Sequence, residues 1–241
     1  LEQPQITGVQ TSEPMSALSG VLKVLFQPRV VFASLQSKPN WVLPLVIFLV
    51  LTVVATVILY PIILSDILAN ISSNPDFTEE QRGTAVEQVT SRLSLPVIAV
   101  PGILYQAFAF FAIAAVFFFV ANILLGGEGK FVQMLSVTGL SLLVSIPEDL
   151  IKVPMILAKK TMKIHTDLAL FLPSSMEDNL FYNLLSHLDI FNFWKVYLIG
   201  LGMAVLYKFS LKKSMTAGFV VWGAYILTAS LLGKFLSFGM K

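Results

Sequence analysis

In the stretch "SIPEDLIKVP", residues 145–154, Glu148, Asp149 and Lys152 sit between two prolines and are flanked by apolar runs. Inside lipid, the chemistry these groups offer is a polar site along which an ion or solute could pass. Glu148 and Lys152 form an i,i+4 pair in the order that suits the helix dipole, worth ~0.3–0.5 kcal/mol in water. The pair matters more in a bilayer, where an unpaired charge at a helix centre costs about 2.5–3.5 kcal/mol or above. On an ideal helix over 147–169, Asp149, Lys152, Lys159, Lys160, Lys163 and Asp167 fall with Glu148 in one sector of roughly 120°. Ile156 is the apolar intruder in that polar stripe. Pro147 suits a first helical position, with Ser145 or Ile146 as cap, and Pro154 loosens the following turn.

Other chemistry is sparse. His165 and His187 lie 22 residues apart without metal-ligand spacing, and there is no cysteine. "GLGM" at 200–203 lies in an apolar run rather than after a strand, and "GGEG" at 126–129 lacks the lysine and hydroxyl of a phosphate loop. No catalytic, cofactor-binding or metal site is expected, and the cofactor expectation is none. A net charge of +2 does not suggest a nucleic acid partner.

The elements that hold these groups follow from composition. Of 241 residues, 56% are hydrophobic and 12% charged, with a mean hydropathy of +0.81. Soluble domains carry roughly 25% charged residues, so the natural solvent is lipid. A bilayer core of ~30 Å needs about 20 apolar helical residues. Spans are expected at 42–64, 95–125, 131–146 (or on to 158), 192–209 and 215–236. Residues 1–17 read as a disordered polar tail and 18–236 as one transmembrane domain. Within it, 18–37 suits an interfacial helix broken at Pro28. A short capped helix outside the membrane is expected within 66–94. Gly126 and Gly127 make a turn that sets the second and third spans antiparallel. Trp41 and Trp194 suit interfacial anchoring. The fold class is thus all-α: a polytopic integral membrane bundle of five transmembrane helices, with an N-terminal interfacial helix and an amphipathic helix after the third span.

Three placements of the polar stripe stay open. The third span ends near Pro147 and an amphipathic helix lies along the interface, or the stripe faces the bundle interior, or the segment is a re-entrant hairpin. With five full spans and an inner N-terminus, the inner side holds Lys23, Arg29, Lys38, Lys130, Lys208, Lys212 and Lys213, seven of sixteen basic residues. The re-entrant alternative gives eleven, which the positive-inside rule favours.

Three stretches carry a family resemblance: "FQPRVVFASLQSKPNWVLPL", "LLGGEGKFVQMLSVTGLSLLVSIPEDLI" and "LDIFNFWKVYLIGLGMAVLYKFSLKKSMTAGFVVWG". In order and spacing they resemble the Yip1 family of polytopic membrane proteins, in its prokaryotic branch. The resemblance implies five spans, a cytoplasmic N-terminus and, for that branch, the inner membrane. It implies a non-enzymatic protein that organises the membrane or holds other membrane proteins, itself included as a homo-oligomer. Eukaryotic members bind small GTPases, but their "DLYGP"-like stretch has no counterpart in residues 1–40, so GTPase binding is not carried over. The alternative is a small transporter or channel using Glu148, Asp149 and Lys152.

Overall fold

A computed structural model describes residues 17–173, 176 and 179–239. The polar tail expected over 1–17 therefore lies, apart from Ala17, outside the described residues. Every regular element among the described residues is helical: α1 (Ala17–Lys23), α2 (Pro28–Ser34), α3 (Val42–Ser73), α4 (Glu79–Arg92), α5 (Leu95–Phe119), α6 (Phe131–Leu142), α7 (Ser145–Lys159), α8 (Leu180–Ser186), α9 (Ile190–Leu206) and α10 (Leu211–Gly239). A π-helical turn, Val120–Leu124, extends α5, and a 3₁₀ turn covers Leu168–Phe171. Among the described residues, three helices are long and apolar enough to cross a membrane: Val42–Ser73, Leu95–Leu124 and Leu211–Leu232. Helix α9 is apolar but shorter.

Local chemistry explains most boundaries. Pro28 opens α2, where its missing N–H is no loss. Thr78 caps α4 in a reciprocal box: its hydroxyl accepts from the Gln81 N–H at 3.3 Å, while Gln81 accepts from the Thr78 N–H at 2.9 Å. Glu79 and Glu80 then occupy the first turn and Arg92 the last, complementing the helix dipole. Gly126 adopts a φ of +71°, which lets the chain leave α5 and turn into α6.

The expected third span is two helices rather than one. Proline at 147 cannot donate to the Leu143 carbonyl, and the ladder breaks at Leu143–Val144. Helix α7 therefore begins at Ser145 with Val144 as its cap, two residues before Pro147. Pro147 is thus the third helical residue rather than the first. Pro154 lies inside α7 without ending it.

Helix α6 occupies the middle of the bundle, packed by α3, α5 and α9. Every residue from Met134 to Ser141 is buried. The hydroxyls of Ser136 and Ser141 return to the helix itself, donating to the Val132 and Val137 carbonyls at 2.8 Å each. Gly202 of α9 faces Val137 of α6 so closely that a Cβ would collide with both valine methyls. Gly223, in contrast, has nothing within 4 Å of a built Cβ and makes no close helix approach.

Two sets of contacts define opposite ends. At one, Asn122 donates to the Tyr207 hydroxyl at 3.0 Å, Lys213 to the Leu125 carbonyl at 2.9 Å and Gln36 to the Val205 carbonyl at 3.3 Å. The Phe118 and Phe131 rings meet edge-on at 5.3 Å there. At the other, Tyr60 donates to the Leu93 carbonyl at 2.8 Å, and Thr161 and the Met162 N–H donate to Asp66 at 3.1 and 2.6 Å. Helices α6 and α7 together run from the first end to the second. Helices α1 and α2 and the turns after them bury Val21, Val24, Val31, Phe32 and Leu35 and leave Leu18, Leu22, Phe26 and Val30 exposed.

Candidate functional site

The polar stripe does not form as one helical face. Helix α7 stops at Lys159, and Lys160 takes a left-handed conformation with φ 53° and ψ 35°. The cause is Asp66 near the end of α3, whose carboxylate takes hydrogen bonds from Thr161 and Met162 and pulls the chain off the helical path. Lys159 and Lys160 are exposed at this turn. Lys163 and Asp167 lie in the loop beyond, so neither shares a helical face with Glu148. Asp167 instead caps the 3₁₀ turn, accepting from the Ala169 N–H at 2.9 Å.

Glu148 and Lys152 do meet, and they are joined by residues from the start of α9. One Glu148 oxygen accepts from Lys152 at 2.6 Å and the other from Lys195 at 2.6 Å. Lys152 also reaches Asp189 at 3.1 Å and lies 5.8 Å from the Phe191 ring centroid. Asp189 is only 3% exposed and caps α9, accepting from the Phe191 N–H at 2.7 Å. Its second oxygen accepts from the Thr166 hydroxyl at 2.5 Å. An isolated bridge between Asp167 and Asp189 and a 3.2 Å bond from the Leu168 N–H to the Leu188 carbonyl tie the 160–172 loop to the same point. Beside it, Tyr182 and His165 are 2.8 Å apart, hydroxyl oxygen to Nε2.

Electrostatics follow from this wiring. Burial alone raises the pKa of Asp189, which precedes α9. The hydrogen bonds from Thr166, the Phe191 N–H and Lys152 outweigh it and hold the carboxyl below its ordinary value. Each member of the cluster uses its charge on another member, so the arrangement fastens α7 to the entry of α9.

Asp149 stands apart. It makes no ion pair or hydrogen bond to a described residue, and it lines a cleft between α3 and α7. Lys195, Asp189 and Thr166 were not singled out from sequence. The available signals were a lysine six residues into "IFNFWKVYLIG" and an Asp placed directly before that apolar run, which is a cap signature. The 47-residue gap between Glu148 and Lys195 hides their pairing from any local pattern.

The expected turn and anchors have definite surroundings. A Cβ at Gly127 or Gly129 would collide with the Tyr207 ring, so the 126–130 turn needs glycine there to pack on the end of α9. Trp41 stacks on Phe110 at 6.3 Å and meets Phe111 edge-on at 5.7 Å, so its ring closes the α3–α5 interface. Trp194 is half-buried against the core.

This order of elements has a family counterpart: the model of the Yip1 domain matches residues 22–232. The chain belongs to the Yip1-domain family. A search of the curated proteins and a search of the solved structures each returned no match. With its three long apolar helices, this Yip1 domain is an integral membrane protein. The matched range, 22–232, encloses every residue of the Glu148 cluster, Gly126, Gly127, Trp41 and Trp194.

Proposed function

We propose that this Yip1-domain protein is a non-enzymatic, five-pass membrane protein that organises the bilayer or holds other membrane proteins. The family resemblance implies the inner membrane of a prokaryote and a cytoplasmic N-terminus. The fourth and fifth passes are α9 and α10, and the third is the α6–α7 pair. Its support is the end-to-end run of that pair, from Phe118 at one end to Asp66 at the other. A re-entrant hairpin would return to its starting end.

The observation that carries the holding role is the closed Glu148–Lys152–Asp189–Lys195 cluster. These four charges, already paired at 2.6–3.1 Å, serve as internal fasteners rather than as ligands for a passing solute. Purification of the tagged chain from crosslinked native membranes in mild detergent tests this. A reproducible set of membrane proteins should co-purify at fixed ratio, and proteoliposomes of the pure chain should show no solute flux above protein-free vesicles. Flux that Glu148→Gln abolishes would replace this reading with a small transporter or channel built on Glu148, Asp149 and Lys152.

A further inference from the structure

Five ionisable side chains gather where α7 meets the start of α9. Three are carboxylates (Glu148, Asp149, Asp189) and two are ammonium groups (Lys152, Lys195). Glu148 takes both lysines at 2.6 Å, and Asp189 shares Lys152 at 3.1 Å. That leaves Asp149 as the surplus carboxylate. One residue along a helix is a rotation of about 100°, so Asp149 leaves the cluster and lines a separate cleft. The cleft, ≈ 250 Å³, is otherwise apolar, with Leu51, Ala55 and Ile58 of α3 and Leu150 and Val153 of α7 among its walls.

The α3 residues recur at i, i+4 and i+7, so each helix offers one row and the rows bound a furrow. Such a furrow receives the ridge of a third helix, and Ala55 keeps its floor low enough for close approach. Leu51 to Ile58 lie inside the uncharged stretch 42–64, where the surrounding medium is lipid. Lys195 and Lys152 act on Asp149 only from beyond ion-pair distance, and a carboxylate facing that medium is stabilised by a cation brought into contact with it. We propose that the α3–α7 furrow is the docking seam for a transmembrane helix of another membrane protein, one that carries a lysine or arginine opposite Asp149. The proposal rests on the holding role and names the chemistry of what is held. A lipid-borne ammonium would meet the charge alone, whereas a helix meets the charge and both apolar rows.

The test places the full-length chain, labelled with a fluorescence donor, in phosphatidylcholine vesicles. Acceptor-labelled polyleucine transmembrane peptides carry no lysine, or one lysine at successive helical turns from the centre. At one depth the lysine peptide should associate at least tenfold more tightly than the all-leucine peptide. Asp149→Asn should remove that advantage and Asp149→Glu keep it, with both variants melting like the unaltered chain. Equal association of lysine and all-leucine peptides with the unaltered chain overturns the proposal, independent of any variant. Displacement of the lysine peptide by an equal amount of stearylamine would assign the cleft to a cationic lipid and overturn it as well. If the lysine advantage is absent but native partners still co-purify, the seam is wrong and the holding role stands.

Discussion

Glu148 accepts from two lysines, so removing its charge strands Lys195 and leaves Lys152 with Asp189 alone. Breaking a buried pair by deleting one partner costs about 3–5 kcal/mol, because the remaining charge stays desolvated. Glu148→Gln should destabilise the fold in detergent by up to an amount of that order, read as a lowered melting temperature. Replacing Glu148, Lys152 and Lys195 together by leucine and two methionines should be milder, since no lysine is left without its carboxylate. Asp189 keeps Thr166 and the Phe191 N–H in that triple variant. The single variant tolerated as well as the triple would remove the fastener interpretation. Asp189 also gives a pH signature. Its folded pKa lies below the ordinary carboxylate value of about 3.9. Its contribution to stability is therefore complete above that value and lost as the pH falls through the depressed one. Melting followed downward from neutrality should hold steady until about pH 4 and then drop, and Asp189→Asn should lack that part of the drop.

Among the elements, the contact between α6 and α9 makes the sharpest demand on sequence. Gly202→Ala sets a methyl group into Val137 and should cost about 1–3 kcal/mol through overpacking. Gly223→Ala meets nothing within 4 Å and should be neutral or gain up to about 1 kcal/mol of helix propensity. Equal melting of the two variants would contradict the packing described. The same contact shows what sequence can and cannot disclose. The long helices α3 and α5 were legible because lipid-facing stretches must be uncharged over about 20 residues. The break at Leu143–Val144 was signalled by Pro147, though its position was off by two residues. The end of α7 was not legible, because a carboxylate on α3, nearly a hundred positions earlier, decides it. Of the ionic cluster, Glu148 and Lys152 were readable from their spacing, while Lys195 and Asp189 depend on how α9 folds back.

Across the whole molecule, basic residues divide by end. Lys38, Lys130, Lys208, Lys212 and Lys213 flank the residues that meet at the end where Asn122 contacts Tyr207, Gln36 contacts Val205 and Lys213 contacts Leu125. The chain has no cysteine, so single introduced thiols report on sidedness without background. Under the five-pass reading, Glu128→Cys and Lys212→Cys should react with an impermeant maleimide from one side of sealed vesicles and Lys160→Cys from the other. Labelling of positions 128 and 160 from one side and 212 from the other would restore the re-entrant arrangement, which the count of basic residues alone favours.

The central position of α6 bears on how this chain is made. Its middle, "MLSVTGLS", is rich in hydroxyls and glycine and is wholly enclosed by neighbouring helices. At twelve residues it is about 18 Å long, well short of a bilayer core. A segment of that kind gains little by leaving the translocon for lipid unaided. Under the five-pass reading it is expected to enter the membrane beside α5, on its upstream side, and to be fully enclosed once α9 follows.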